Sequence, residues 1–263
     1  MRTKRLPLRK RTKKRRKSNM FPIYKKELQS FFYTPFAYAI AALFMLLFSL
    51  SFSTGIARLE GSNTWNFSFA EIFYSVILYF IFLLPILTMR TFADERKNGT
   101  EVLLMTSPIS VAKIVLAKFL ANITVYIFML LGTSIFPIIT AVKGQVVVSQ
   151  LICAYIGIFF WGAMYIALGM LISSFTESSI IAAIIGEVVM FVLLFVDDFS
   201  NTAFISQYPK VQSVLYSFAA QPRFAYFSEG FIRLSDLVFF ASAIIVLLIW
   251  TYISIEKRRW NRG

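Results

Sequence analysis

Of the 263 residues, 58% are apolar and only 15% charged, with 27 Lys or Arg against 13 Asp or Glu, a single Cys and no His. A soluble domain of that length could not cover so much apolar surface, so the chain reads as an all-α polytopic membrane protein. With Cys153 alone and no His, an intrachain disulfide, a Cys/His zinc site and Ser-His-Asp or Cys-His catalysis are excluded. No G-x-x-x-x-G-K-[ST] loop is present to cradle a nucleotide.

Residues 1–19 carry eleven Lys or Arg and no acid. Such a block repels itself, which predicts a disordered tail resting on anionic lipid headgroups rather than on nucleic acid. A natural start at Met20 would make this segment an extension. Over 20–35, Ile23, Leu28, Phe31 and Phe32 share a helical face, with Lys25, Lys26, Glu27 and Gln29 elsewhere. That pattern predicts a helix lying in the membrane interface. Pro35 then turns the chain into residues 36–263, where six spans are predicted at about 36–57, 69–91, 110–141, 148–172, 179–197 and 235–255. The third is long enough to tilt or project.

With the N-terminus inside, 22 of the 27 basic residues fall on the cytoplasmic side; without the tail the division is still eleven against five. The positive-inside rule therefore predicts cytoplasmic termini. Lys113 and Lys118 are expected to snorkel from the inner end of the third span.

The link between spans two and three reads "FADERKNGTEVLLMTSPIS" from Phe92 to Ser110. Span two is predicted to continue through Arg90 to Lys97 and stop at Asn98-Gly99, where Gly supplies a left-handed turn. Thr100 can cap a short new helix whose Glu101 complements the helix dipole, and Ser107-Pro108 can start the next element. The apolar side of the short helix, Val102 to Met105, suits packing on its own bundle or insertion into a groove on a partner. Spacing leaves both open.

Farther along, Gly162, Gly169 and Ser173 line one side of span four and permit close helix approach. Glu187 falls near the middle of span five, where a charge costs roughly 2.5–3.5 kcal/mol on an insertion scale. It is expected to face the bundle, protonated or bonded to a polar neighbour such as Asn122. As a bond it would fix packing; as a free group it would serve a substrate path or a proton. Glu71, Asp197 and Asp198 read as interfacial, and Asp236 as complementing the last helix's N-terminus. Pro209 and Pro222 divide 198–234 into short amphipathic outer helices.

The stretch "LLPILTMRTFADERKNGTEVLLMTSPISVAKIVLAKF" resembles the region between spans two and three of ABC-2 type transporter permeases, most of all bacterial permeases of the gliding-motility type. "YKKELQSFFYTPFAY", "GMLISSFTESSIIAAI", "FAYFSEGFIRLSDLVFFASA" and the closing "EKRRW" extend the likeness, in order, over about 20–260. It implies a non-catalytic, six-helix half-permease of a bacterial inner membrane that works as an exporter. Its implied partners are a second permease chain, identical or homologous, and two ATPase subunits holding Mg-ATP, with no cofactor on this chain. The family's ATPase-coupling segment falls on Asp94, Glu95, Arg96, Gly99, Thr100, Glu101 and Leu104, with Glu177 as a second contact. An ion-coupled transporter built on Glu187 is one alternative. A lipid-modifying enzyme is another, though such enzymes cluster His or paired carboxylates that this sequence lacks.

Overall fold

The computed structural model describes residues 19–59, 69–105, 107, 109–143, 146–202, 205 and 207–261. The expected basic tail and the side chains of Glu71 and Leu104 lie outside the described residues. Every regular element described is a helix: α1 Phe21–Phe32, α2 Pro35–Leu59, α3 Phe69–Thr88, α4 Arg90–Lys97, α5 Glu101–Met105, α6 Val111–Thr133, α7 Ile135–Lys143, α8 Val148–Phe175, α9 Ser179–Leu194, α10 Val196–Ser200, α11 Pro209–Phe218, α12 Gln221–Ser228 and α13 Leu234–Asn261.

Local chemistry sets many of these limits. Proline occupies the first turn of α1, α11 and α12, where its missing N–H is no loss. Gly99 ends the α4 turn at φ +68°, a backbone state that a Cβ disfavours. Two sequence expectations shift. The helix after the charged link starts at Val111 with Ser110 as N-cap, not at Ser107-Pro108, and Pro108 lies outside the described residues. The long third span breaks at Ser134 into α6 and α7.

Among the described residues, five stretches are long and apolar enough to cross a membrane: Pro35–Ala57, Ile72–Lys97, Val111–Val142, Val148–Phe175 and Leu234–Arg259. The protein is therefore a multi-pass membrane protein. The expected fifth span is a shorter apolar helix, Ser179–Leu194, which turns at Phe195 into α10.

Helix α8 is the axis of the bundle, packed against α3, α9, α12 and α13. Its Trp161 and Tyr165 rings stack at 3.9 Å and are fully buried, beside Phe80 of α3 and Tyr126 of α6. Glycine makes these approaches possible. A Cβ on Gly162 would collide with the Tyr126 phenol, and one on Gly169 with Thr88. The small-residue side of span four thus packs within the chain.

The two ends of the bundle differ. At one, Ser174 near the end of α8 donates to Ser254 of α13 at 3.3 Å, close to the basic run Lys257 to Arg259. At the other, Cys153 of α8 donates to the Gly230 carbonyl after α12, and Arg223 pairs with Asp236 at the start of α13 at 3.2 Å.

Candidate functional site

The basic end is where α1, α4, α5, the start of α6 and the α8–α9 turn converge. It is assembled by polar contacts between segments far apart in the chain. Helix α4 begins after a break at Met89, and no side chain of its own caps it. Its first amides would be orphans, and burying them unpaired would cost about 1–3 kcal/mol each. Ser173 of α8 supplies the cap from outside: its Oγ accepts from the Phe92 and Ala93 amides at 3.1 Å each and donates to the Met89 carbonyl at 2.8 Å.

Arg96 fastens the other end of α4. Its guanidinium donates to the Ser174 carbonyl at 2.5 Å and the Thr176 carbonyl at 3.0 Å, the carbonyls that open the α8–α9 turn. The same side chain, 8% exposed, lies 3.6 Å from Glu101 in the first turn of α5. One planar fork therefore joins α4, α5 and α8, a geometry that a lysine could not reproduce. Asp94 accepts from Ser179, the first residue of α9, and lies 3.8 Å from Arg90.

The third fastening joins α1 to α4 and α6. Lys118 of α6 is 1% exposed and lies 3.0 Å from both Glu27 of α1 and Glu95 of α4, which are 14% and 13% exposed. It also donates to the Thr91 carbonyl at 2.7 Å. Lys26 approaches Glu95 at 3.8 Å from the solvent side. Lys118 does not snorkel as expected. A carboxylate and a carbonyl accept hydrogen bonds from it in the interior, and a second carboxylate answers its charge, removing any reason for the chain to uncoil toward water.

Among the residues singled out from sequence, Asp94, Glu95, Arg96, Thr100 and Glu101 thus come together, with Thr100 Oγ1 donating to the Glu95 carbonyl at 3.2 Å. Gly99 turns the chain between α4 and α5. Beyond that turn Val102 and Leu103 are exposed, Leu103 at 73%. Glu177 is an exposed residue of the turn that Arg96 holds.

The expected pairing of Glu187 with Asn122 is not formed. Asn122 is buried on α6 and donates instead to Thr91 Oγ1 at 3.3 Å and to the Lys118 carbonyl at 2.9 Å. Glu187 is half-buried on α9 and makes no hydrogen bond or ion pair among the described residues. The face of α9 that packs inward is made by Ala182, Ala183, Gly186, Met190 and Leu194, so a carboxylate beside Gly186 is turned to the flank of the helix. Sequence reasoning missed Glu27, Thr91, Lys118 and Ser179. A usable signal existed for Lys118: it lies four residues before Asn122, on the side of α6 that carries Ile114, Val115 and Ala121.

A family model described as ABC-2 family transporter protein matches residues 21–256. The chain belongs to the ABC-2 transporter family. No curated protein matches it. An ABC-2 permease is a membrane transport subunit, generally non-catalytic, and membership implies an ABC ATPase partner and often a second permease chain. The segments joined at the basic end, from Glu27 to Arg96 and Ser179, all lie inside the matched range.

Proposed function

We propose that this ABC-2 permease is the membrane half of an ATP-driven exporter in a bacterial inner membrane. Both termini face the cytoplasm, and Mg-ATP is hydrolysed on two partner ATPase subunits. ATP binding closes the partners, which press on α5 and α4 and rock the helices around a path beside the second permease chain. Asp94, Glu95, Arg96, Gly99, Thr100, Glu101, Leu104 and Glu177 form the receiving region, in two roles. Glu95, Arg96 and Glu101 face inward and position the lever; Leu103 and Glu177 face outward and are available for contact.

The observation that carries this reading is the Arg96 fork. It links the exposed α5 tip to α8, the axial helix, through an ion pair with Glu101 at 3.6 Å and two charge-assisted hydrogen bonds to the Ser174 and Thr176 carbonyls, so force applied at Leu103 reaches the bundle through these contacts rather than through a loose loop. An exposed apolar side chain on a short helix suits a hydrophobic groove on a partner. The test is co-purification with the ABC ATPase. Leu103→Asp leaves a solvent-facing position folded and is expected to reduce ATPase recovery at least about tenfold, the effect of about 1.4 kcal/mol. Undiminished recovery and transport would remove the α5 tip from the interface.

A further inference from the structure

Between α1, the first turn of α2 and α4 runs a groove of about 350 Å³ that the fastenings above do not fill. That volume is at the small end of the range for ligand pockets, roughly 300–1,000 Å³. Along α4 and its C-cap it is lined by Arg90, Thr91, Asp94, Glu95 and Asn98, one continuous face about 12 Å long. Facing them are Lys26, Glu27 and Ser30 of α1, with Phe31 and Phe36 at one end and Thr34 in the turn between α1 and α2.

The depth of this groove follows from the spans. Phe36 is one residue inside the first span, and Arg90 is where charge begins on the second, so these two mark the edge of the hydrocarbon. They touch: the Arg90 guanidinium lies 3.9 Å over the Phe36 ring. The aromatic end of the groove is therefore at the acyl boundary and the Asn98 end is in the headgroup layer or beyond. This placement does not depend on which way the chain is inserted, nor on an ATPase partner.

Charge then selects the occupant. The lining has three cations, Lys26, Arg90 and Lys118, and three carboxylates, Glu27, Asp94 and Glu95. A net anion gains little in a balanced groove, whereas a ligand carrying both signs can answer both. Lys118 is fully engaged, but the outer charges are not. Arg90 and Lys26 each stand 3.8 Å from a carboxylate, too far for a hydrogen bond. The Nη groups of Arg90 and the Ser30 hydroxyl have no hydrogen-bond partner among the described residues.

The geometry points to a binding site for one zwitterionic phospholipid with a primary ammonium, a phosphatidylethanolamine. Arg90, Lys26 and Ser30 hold the phosphate, Asp94 and Glu95 accept from the ammonium, and the acyl chains leave past Phe31 and Phe36. A quaternary ammonium lacks the N–H donors that the carboxylates need, and an anionic lipid leaves those carboxylates unanswered.

The full chain in detergent, given palmitoyl-oleoyl phosphatidylethanolamine and analysed by native mass spectrometry, should retain one lipid per chain under conditions that strip palmitoyl-oleoyl phosphatidylglycerol. Arg90→Gln and Lys26→Gln, both at exposed positions, should each weaken retention by about tenfold while lipid-free circular dichroism and Tm stay unchanged. Equal retention of the two lipids, or undiminished retention in the double variant, would overturn the site. Binding of glycerophosphoethanolamine as tight as that of the lipid would overturn the membrane source of the ligand. Loss of the lipid from the wild-type chain on adding the ABC ATPase would reassign the groove to protein docking.

Discussion

Lys118 holds two carboxylates that come from helices on either side of it, at 3.0 Å each. The arrangement is asymmetric in what its loss would do. Removing the cation leaves Glu27 and Glu95 facing each other with little access to water, and breaking a buried pair in this way costs about 3–5 kcal/mol. Lys118→Met is therefore expected to destabilise the chain by that amount in a denaturant titration in mixed micelles. Neutralising the carboxylates as well, in Lys118→Met with Glu27→Gln and Glu95→Gln, should restore most of it, because apolar and amide groups need no counter-charge. A triple variant as unstable as the single one would show that Lys118 acts through its bond to the Thr91 carbonyl instead. The burial of Lys118 left a signal in the sequence, but its two carboxylate partners were not readable there, for a physical reason. Glu27 and Lys118 are 91 residues apart, and the helix neighbours of either one say nothing of the other. Long-range pairing leaves no trace in local periodicity. By contrast the turn at Gly99 was legible, since a left-handed backbone is a demand one residue meets by itself.

Among the helices, hydropathy was sufficient to find the long spans and Pro209 and Pro222 to find the starts of α11 and α12. The break between α6 and α7 and the shortness of α9 were not foreseen, because continuous apolar runs cross both places and packing sets the actual ends. Where packing is tight, glycine identifies the contact, and two positions with the same residue should behave oppositely. At Gly162 an added methyl meets the Tyr126 phenol, which cannot swing aside without breaking its 2.6 Å bond to the Ile158 carbonyl. Overpacking of about 1–3 kcal/mol then outweighs a gain in helix propensity of up to about 1 kcal/mol. At Gly132 the methyl meets only the Met45 thioether, at 3.1 Å, and that unbranched side chain can yield. Gly162→Ala should lower Tm in detergent while Gly132→Ala leaves it unchanged or slightly raised. Equal losses at both sites would mean that Met45 is held as rigidly as Tyr126.

Seen as a whole, the molecule returns to its starting side. Helix α1 is fixed to the basic end through Glu27 and Lys118, and α13 finishes there beside Ser174. A path from α1 to α13 that starts and finishes at one end must traverse the bundle an even number of times, yet among the described residues five stretches are long enough to span by length and apolarity. The remaining traverse is assigned by its neighbours. Helix α9 starts at Ser179, against Asp94 at the basic end, whereas α12 and Gly230 pack near Gln150 and Cys153, about 36 Å away along α8. Among the described residues, the chain passes from the first place to the second by way of α9 and α10. Its 16 residues rise about 24 Å, less than a hydrocarbon core of about 30 Å, so the bilayer must thin there or α10 must enter it. Glu187 then sits at mid-depth, and a locally thinned, better hydrated membrane is what makes an unpaired carboxylate tolerable at that level. The prediction is a sixth crossing, read with single cysteines in a Cys153→Ala background. A membrane-impermeant maleimide added to intact cells should label Ser213→Cys on α11 but neither Leu103→Cys nor Glu177→Cys, and permeabilisation should expose the latter two. If Glu177→Cys and Ser213→Cys react from the same side, α9 folds back without crossing. The even count would then fail, and with it the placement of both termini in the cytoplasm.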